Sequence, residues 1–196
     1  TYPMPAKPEG VDAGILKGIY RYRPSVRRRV RFKAHLLGSG AILNEVLKAQ
    51  QMLENDYGVA ADVWSVTSYK ALYEDATAAE RWNWLHPDES PRLSFLEHQL
   101  ADASGIFVAA SDYVKALPSS ISKYLPGPLT VLGTDGYGRS ETRAALRDFF
   151  EVDARHIVYA VLSALARSGK LKAAVIEKAR HKLKIDPGKR HPFSLF

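Results

Sequence analysis

The sequence of 196 residues contains no cysteine. Disulfides, a thiol nucleophile and every thiolate-bearing zinc or iron–sulfur site are thereby excluded, and the composition fits a reducing compartment such as the cytoplasm. No apolar run approaches the roughly 18 residues needed to cross a bilayer, and no export signal opens the chain. The expectation is a soluble, unexported, cytoplasmic protein with no membrane partner. Asparagine is scarce, standing only at 44, 55 and 83. Histidines at 35, 86, 98, 156, 181 and 191 form no H-x-x-x-H or H-E-x-x-H pair, so no metal site is expected. A G-x-S-x-G nucleophile elbow is missing, which removes the commonest sign of Ser-His-Asp chemistry.

What is present is enough hydrophobic content, 46%, to bury one sizeable core in a single domain. The net charge of +7 is segmented: residues 1–33 carry 9 basic and 2 acidic side chains, residues 34–166 carry 10 and 17, and residues 167–196 carry 9 and 2. The ends are basic and the middle is acidic. Prolines at 3, 5 and 8 predict an extended connector over residues 1–14. Ile15, Ile19, Tyr20 and Tyr22 have strand-like spacing, with a hairpin into the next strand expected across Arg27-Arg28-Arg29.

From residue 31 a strand, the turn Gly38-Ser39-Gly40 and a helix over residues 41–57 form a β-turn-α opening, with Ile42, Val46, Ala49 and Leu53 on one face. Gly58 is placed to stop that helix. Further strands are expected at residues 62–66, 105–110 and 129–132, the middle one apolar throughout, as in a central parallel strand. Helices are expected at residues 68–85 and 93–101, and at 112–124 with a break near Pro118. Two more follow Ser140 and Asp153 as N-caps. A last helix has Leu171, Val175, Ile176, Ala179 and Leu183 on its buried face. The alternation predicts a Rossmann-like, three-layer α/β domain with a mainly parallel sheet, spanning residues 15–196.

The segment richest in chemical signal is Gly133-Thr134-Asp135-Gly136-Tyr137-Gly138-Arg139-Ser140, a loop at the carboxyl end of a strand, where open α/β sheets receive ligands. It is read as a strand-to-helix crossover that doubles as a candidate interface or active-site rim. His86, in Trp82-Asn83-Trp84-Leu85-His86-Pro87, joins it as a candidate, although an aromatic helix end also serves core packing. Gly38-Ser39-Gly40 lacks the third glycine of a dinucleotide fingerprint, Leu43 standing there, and no acidic residue closes the second strand. It is read as a tight turn, with no cofactor-binding, catalytic or metal residue assigned in this chain.

These residues, taken in order, resemble a known family, the carboxyl-terminal domain of the homodimeric pyruvate dehydrogenase first component. The resemblance runs through Met4-Pro5 with Pro8-Glu9-Gly10, Lys17-Gly18-Ile19-Tyr20, Leu36-Leu37-Gly38-Ser39-Gly40, Asp56-Tyr57-Gly58-Val59, Val66-Thr67-Ser68, Glu80-Arg81-Trp82-Asn83 with Leu85-His86-Pro87, and the segment from Leu132 to Ser140. It implies a transketolase C-terminal-like fold at the end of a three-domain subunit, with thiamine diphosphate and magnesium held by upstream domains. The family's cofactor motif, Gly-Asp-Gly followed by Asn about thirty residues on, is absent, because every Asn precedes Asp135-Gly136. Implied partners are the upstream domains, a homodimer partner and the dihydrolipoyl acetyltransferase component.

The resemblance further implies oxidative decarboxylation of pyruvate and reductive acetylation of lipoyl groups by the full-length protein, with this domain inactive alone. Its role would be dimer packing and shaping the active-site rim. Two other readings compete: a stand-alone nucleotide-binding or regulatory Rossmann-like module, and a basic-armed nucleic-acid binder. The start without an initiator Met is expected of a piece of a longer chain, and the acidic middle argues against nucleic acid.

Overall fold

The computed structural model describes residues 6–27 and 30–194. Expectations that fall on Tyr2 to Pro5, on Arg28 and Arg29 and on Leu195-Phe196 lie outside the described residues. Five strands form one sheet: β1 (Ile19–Arg23), β2 (Phe32–Gly38), β3 (Val59–Val66), β4 (Ile106–Ala110) and β5 (Leu129–Leu132), in spatial order β1-β3-β2-β4-β5. Strands β3, β2, β4 and β5 run parallel, and β1 joins the edge antiparallel to β3. The three-layer, mainly parallel α/β expectation holds. The expected hairpin does not: β1 passes its chain neighbour β2 and pairs Ile19 with Val66.

Among the described residues the α-helices are α1 (Asp12–Lys17), α2 (Leu43–Asp56), α3 (Tyr69–Leu85), α4 (Phe95–Gln99), α5 (Ala116–Ser119), α6 (Arg143–Phe149), α7 (Ala154–Arg167) and α8 (Ala173–Lys182). Strand residues alternate between the layers. On one face Leu36, Val63 and Val108 pack with Val46 and Leu53 of α2 and Ile157, Val161 and Leu165 of α7. On the other, Leu37, Trp64 and Phe107 pack with Leu72 of α3 and Leu96 of α4. All five residues of β4 are buried, which is why it reads as an unbroken apolar run. Among the described residues no helix is long and apolar enough to cross a membrane.

Three local expectations change. Residues 12–17 are helical rather than extended, because Gly18 takes the left-handed conformation (φ 109°) that ends α1 before β1 begins. Its missing Cβ is also required sterically, since one built there would stand 2.6 Å from the Ser68 carbonyl. The cap of α6 is Thr142, whose hydroxyl accepts from the Ala145 amide, and not Ser140. On α8, Val175 is 41% exposed while Ala179 is buried, so the apolar face is narrower than its pattern suggests.

One buried carboxylate organises the layer over α2. Glu45, 6% exposed, accepts from Arg147 Nη1 of α6 at 2.8 Å and from the Ala154 amide opening α7 at 3.1 Å. Lys48 approaches the same carboxylate at 2.8 Å. Removing one partner of a buried pair strands the other. Glu45→Ala is expected to destabilise the fold by about 3 kcal/mol, seen as a lower urea midpoint at constant slope.

His35, on β2, is a second buried polar group facing a core. The Trp64 indole N–H donates to its Nδ1 at 3.3 Å, so Nε2 carries the hydrogen and donates to the Ser104 carbonyl at 3.3 Å, while the ring stacks on Phe107 at 4.8 Å. Burial pulls its pKa below the ordinary 6.5, more than the Ser104 carbonyl and Asp62 raise it. The unfolded chain therefore binds this proton more readily than the folded one. Stability from neutral His35 is present above about pH 6.5 and lost as pH falls below it toward the folded value. Denaturation midpoints compared at about pH 7 and pH 5 should show a drop that His35→Phe partly flattens.

Candidate functional site

The Gly133–Ser140 segment leaves the carboxyl end of β5 and is anchored through its first half. Gly133 packs so closely that a Cβ there would lie 2.6 Å from the Tyr113 carbonyl. That same carbonyl accepts from the Thr134 amide at 2.8 Å. The Asp135 carboxylate accepts from the Lys115 amide at 2.9 Å, and the Lys115 ammonium lies 3.7 Å from it. Asp135 therefore clips two strand-end loops together; its carboxylate is committed within the fold.

Beyond Asp135 the chain projects. Gly136 has φ of 80°, Tyr137 is 76% exposed, and residues 136–140 are all exposed. Arg139 lies over the Phe149 ring of α6, 5.5 Å from its centroid. The result is an aromatic and a guanidinium on a loop held rigid at its root, an arrangement suited to contact with another surface. Tyr113 and Lys115, which provide that root, escaped sequence reading. Their only signal is position, directly after β4 at the same sheet edge as the loop.

His86 stands apart. It follows α3, which starts at the carboxyl edge and runs about 25 Å back toward the other edge. Its Nδ1 is 2.8 Å from the Trp82 carbonyl, and its ring stacks on Trp82 at 4.3 Å. Trp82 also carries the Arg92 guanidinium at 3.7 Å from the ring centroid. The Asn83 amide fixes this turn, donating to the Arg92 carbonyl at 3.0 Å and accepting from its amide at 2.8 Å. His86 serves packing here, next to Trp84, which is 75% exposed.

Among the described residues one group could suggest a metal, since Asp148, Asp153 and His156 bring ligand atoms within 4.8 Å of one another. A cation already occupies it: Arg155 pairs with both Asp148 and Asp153, the latter at 2.7 Å. Burial works against the Asp153 charge, but hydrogen bonds from His156 and Arg155 prevail and hold its carboxyl well below the usual range. Asp153 also accepts from the His156 amide at 3.0 Å, the expected N-cap of α7.

Residues 18–153 match the transketolase-like TK C-terminal domain family. The chain is 44% identical over 193 residues to the pyruvate dehydrogenase E1 component of Pseudomonas aeruginosa, covering 98% of this chain and 22% of that protein. It is equally 44% identical to the pyruvate dehydrogenase E1 component of Escherichia coli K12, with 98% and 21% covered. The chain thus spans about a fifth of the length of these curated relatives. Among solved structures, transketolase from Leishmania mexicana superposes with a TM-score of 0.51 at 16% identity, covering 79% of this chain and 19% of that one, a likeness of fold.

The loop's two outer glycines differ in what they require. Gly136→Val forces a β-branched residue into positive φ and is expected to destabilise by roughly 1–3 kcal/mol. A Cβ at Gly138 meets nothing within 4 Å and needs no left-handed backbone, so Gly138→Val should change the melting temperature little. Thermal unfolding of the two variants side by side checks this.

Proposed function

The chain belongs to the transketolase-like C-terminal domain family, and from that premise we propose that it is the carboxyl-terminal domain of a pyruvate dehydrogenase first component. The observation that supports this most is identity of 44% across 98% of the chain with proteins of that name. In this reading the full-length protein decarboxylates pyruvate on thiamine diphosphate and acetylates lipoyl groups of the dihydrolipoyl acetyltransferase component. It acts in the cytoplasm as a homodimer.

The residues here do not fit the cofactor. Asp135, the only Asp followed by Gly, spends its carboxylate on Lys115, and no Asn follows it to complete an oxygen-rich magnesium site. Thiamine diphosphate and magnesium would be held upstream, leaving this domain inactive alone. Its part is packing: the projecting Tyr137 and Arg139 meet a neighbouring domain or the second subunit and shape the rim of the active-site entrance. The basic ends serve no nucleic acid in this reading.

Arg139→Ala tests the assignment. The 196-residue chain should lose no more than about 1–4 °C of melting temperature, because an exposed guanidinium over a ring contributes about 0.5–1 kcal/mol. The full-length protein should show weakened dimerisation or reduced pyruvate-dependent acetyl transfer, since only there does the side chain lose an interface partner. A full-length protein that turns over no pyruvate with thiamine diphosphate and magnesium would remove the enzymatic reading. A variant unchanged in melting, dimerisation and turnover would remove the interface reading of the loop.

A further inference from the structure

The inner strands of a parallel sheet covered on both faces are expected to be apolar throughout. One face of this sheet departs from that rule toward its amino-terminal end. Asp62 is the one charged residue of β3, and β2 contributes Lys33 and His35. All three share the face that carries Leu37 and Trp64, because side chains alternate along each strand. The edge strand β1 adds Arg21 to the same face, directly opposite Trp64. The helices explain how these residues are tolerated. Leu72 of α3 packs over Leu37 and Trp64, whereas the amino-terminal half is bordered by the short α4 and by the start of α1. An open cleft of about 720 Å³ results, a size common among small-molecule sites.

The charges around this cleft are not spent on one another. Asp62 Oδ1 accepts from the Ser25 amide at 2.7 Å, while Oδ2 lies 3.8 Å from His35 Nδ1. That ring supplies no cation at neutral pH, since burial holds its pKa below the ordinary value and Nδ1 accepts from the Trp64 indole. Arg21, Arg27 and Lys33 all line the cleft, yet among the described residues none of them forms an ion pair with Asp62 or with any other carboxylate. Arg21 lies over the Trp64 ring, 5.9 Å from its centroid.

Their placement is ordered. Arg21 is level with Trp64 and Lys33 is level with Ala60, so Asp62 stands two residues from each along β3. At about 3.3 Å per residue, the two cations are set about 13 Å apart along the strand direction with the carboxylate midway. Two long side chains leaning inward close that span onto a short ligand. The Ser25 amide fixes the Asp62 side chain, leaving its second oxygen for the cleft.

We propose that this cleft binds an amino dicarboxylic acid of four or five carbons, its carboxylates taken by Arg21 and Lys33 and its ammonium by the second oxygen of Asp62. The order of charge in the site is positive, negative, positive, the complement of the ligand's. The sum matches as well: Arg21, Arg27 and Lys33 against Asp62 and Asp102 leave one positive charge, and such a ligand carries one negative charge at neutral pH. A dicarboxylate without the amino group faces Asp62 with nothing to offset the repulsion. A monocarboxylate leaves one cation without a partner. Trp64 and His35, 4% and 5% exposed, give the ligand a rigid floor.

The test titrates the full-length protein, with thiamine diphosphate and magnesium present, by calorimetry with L-aspartate, L-glutamate and succinate. At least one of the two amino acids should bind saturably with a Kd below about 1 mM. It should bind about tenfold more tightly than succinate, the worth of a hydrogen bond to a charged group. Arg21→Gln and Lys33→Gln, at exposed positions that leave the fold intact, should each weaken it by roughly twofold to fivefold. Asp62→Asn keeps an acceptor for the Ser25 amide and should abolish the preference over succinate. Absence of saturable binding by both amino acids, succinate binding as tightly as either, or affinities untouched by Arg21→Gln and Lys33→Gln overturns the proposal. Calorimetry follows binding and not turnover, so failure here is distinct from failure of the enzymatic reading.

Discussion

The Glu45 carboxylate is a buried charge whose three partners come from two other elements and its own helix. Because α2 lies against the central strands, whatever Glu45 holds is held to the sheet. Through Arg147 it positions α6, and through the Ala154 amide it fixes where α7 begins. The α7 face that follows supplies Ile157, Val161 and Leu165 to the core, and α8 packs on α7 in turn. Apolar burial gives this layer its stability, but apolar contact is indifferent to small slides. The carboxylate removes that freedom, and with it sets the exit of the chain from the loop after β5.

Much of this was legible in the amino-acid order because local and global requirements agree. Ile42, Val46, Ala49 and Leu53 repeat at helical spacing and are all buried. The apolar run at β4 has no polar position because both its faces are covered. Asp153 caps α7 as a short acidic side chain before a helical repeat should. What stayed hidden depends on partners far along the chain. Nothing near Ile19 says that its strand will reach past β2 to Val66. Ser140 and Thr142 are chemically equivalent caps, and only the path of the loop selects between them.

The candidate site divides the same way. Its glycines, its Asp and its place after a strand were visible. Its anchoring was not, because Tyr113 contributes a backbone carbonyl, which no sequence pattern reveals. His86 shares a sequence motif with exposed aromatics, yet the 17-residue helix α3 carries it away from the glycine loop.

The antiparallel edge strand bears on the order in which the fold assembles. Strands β2 and β3 are joined by one helix, so their pairing closes a short loop and needs nothing from residues before Phe32. β1 has no such local partner. Its pairing with β3 closes a loop containing β2 and α2, and β3 presents a formed edge only once it lies beside β2. Of these three strands, the one that stands first in the chain is therefore expected to be the last to find its place.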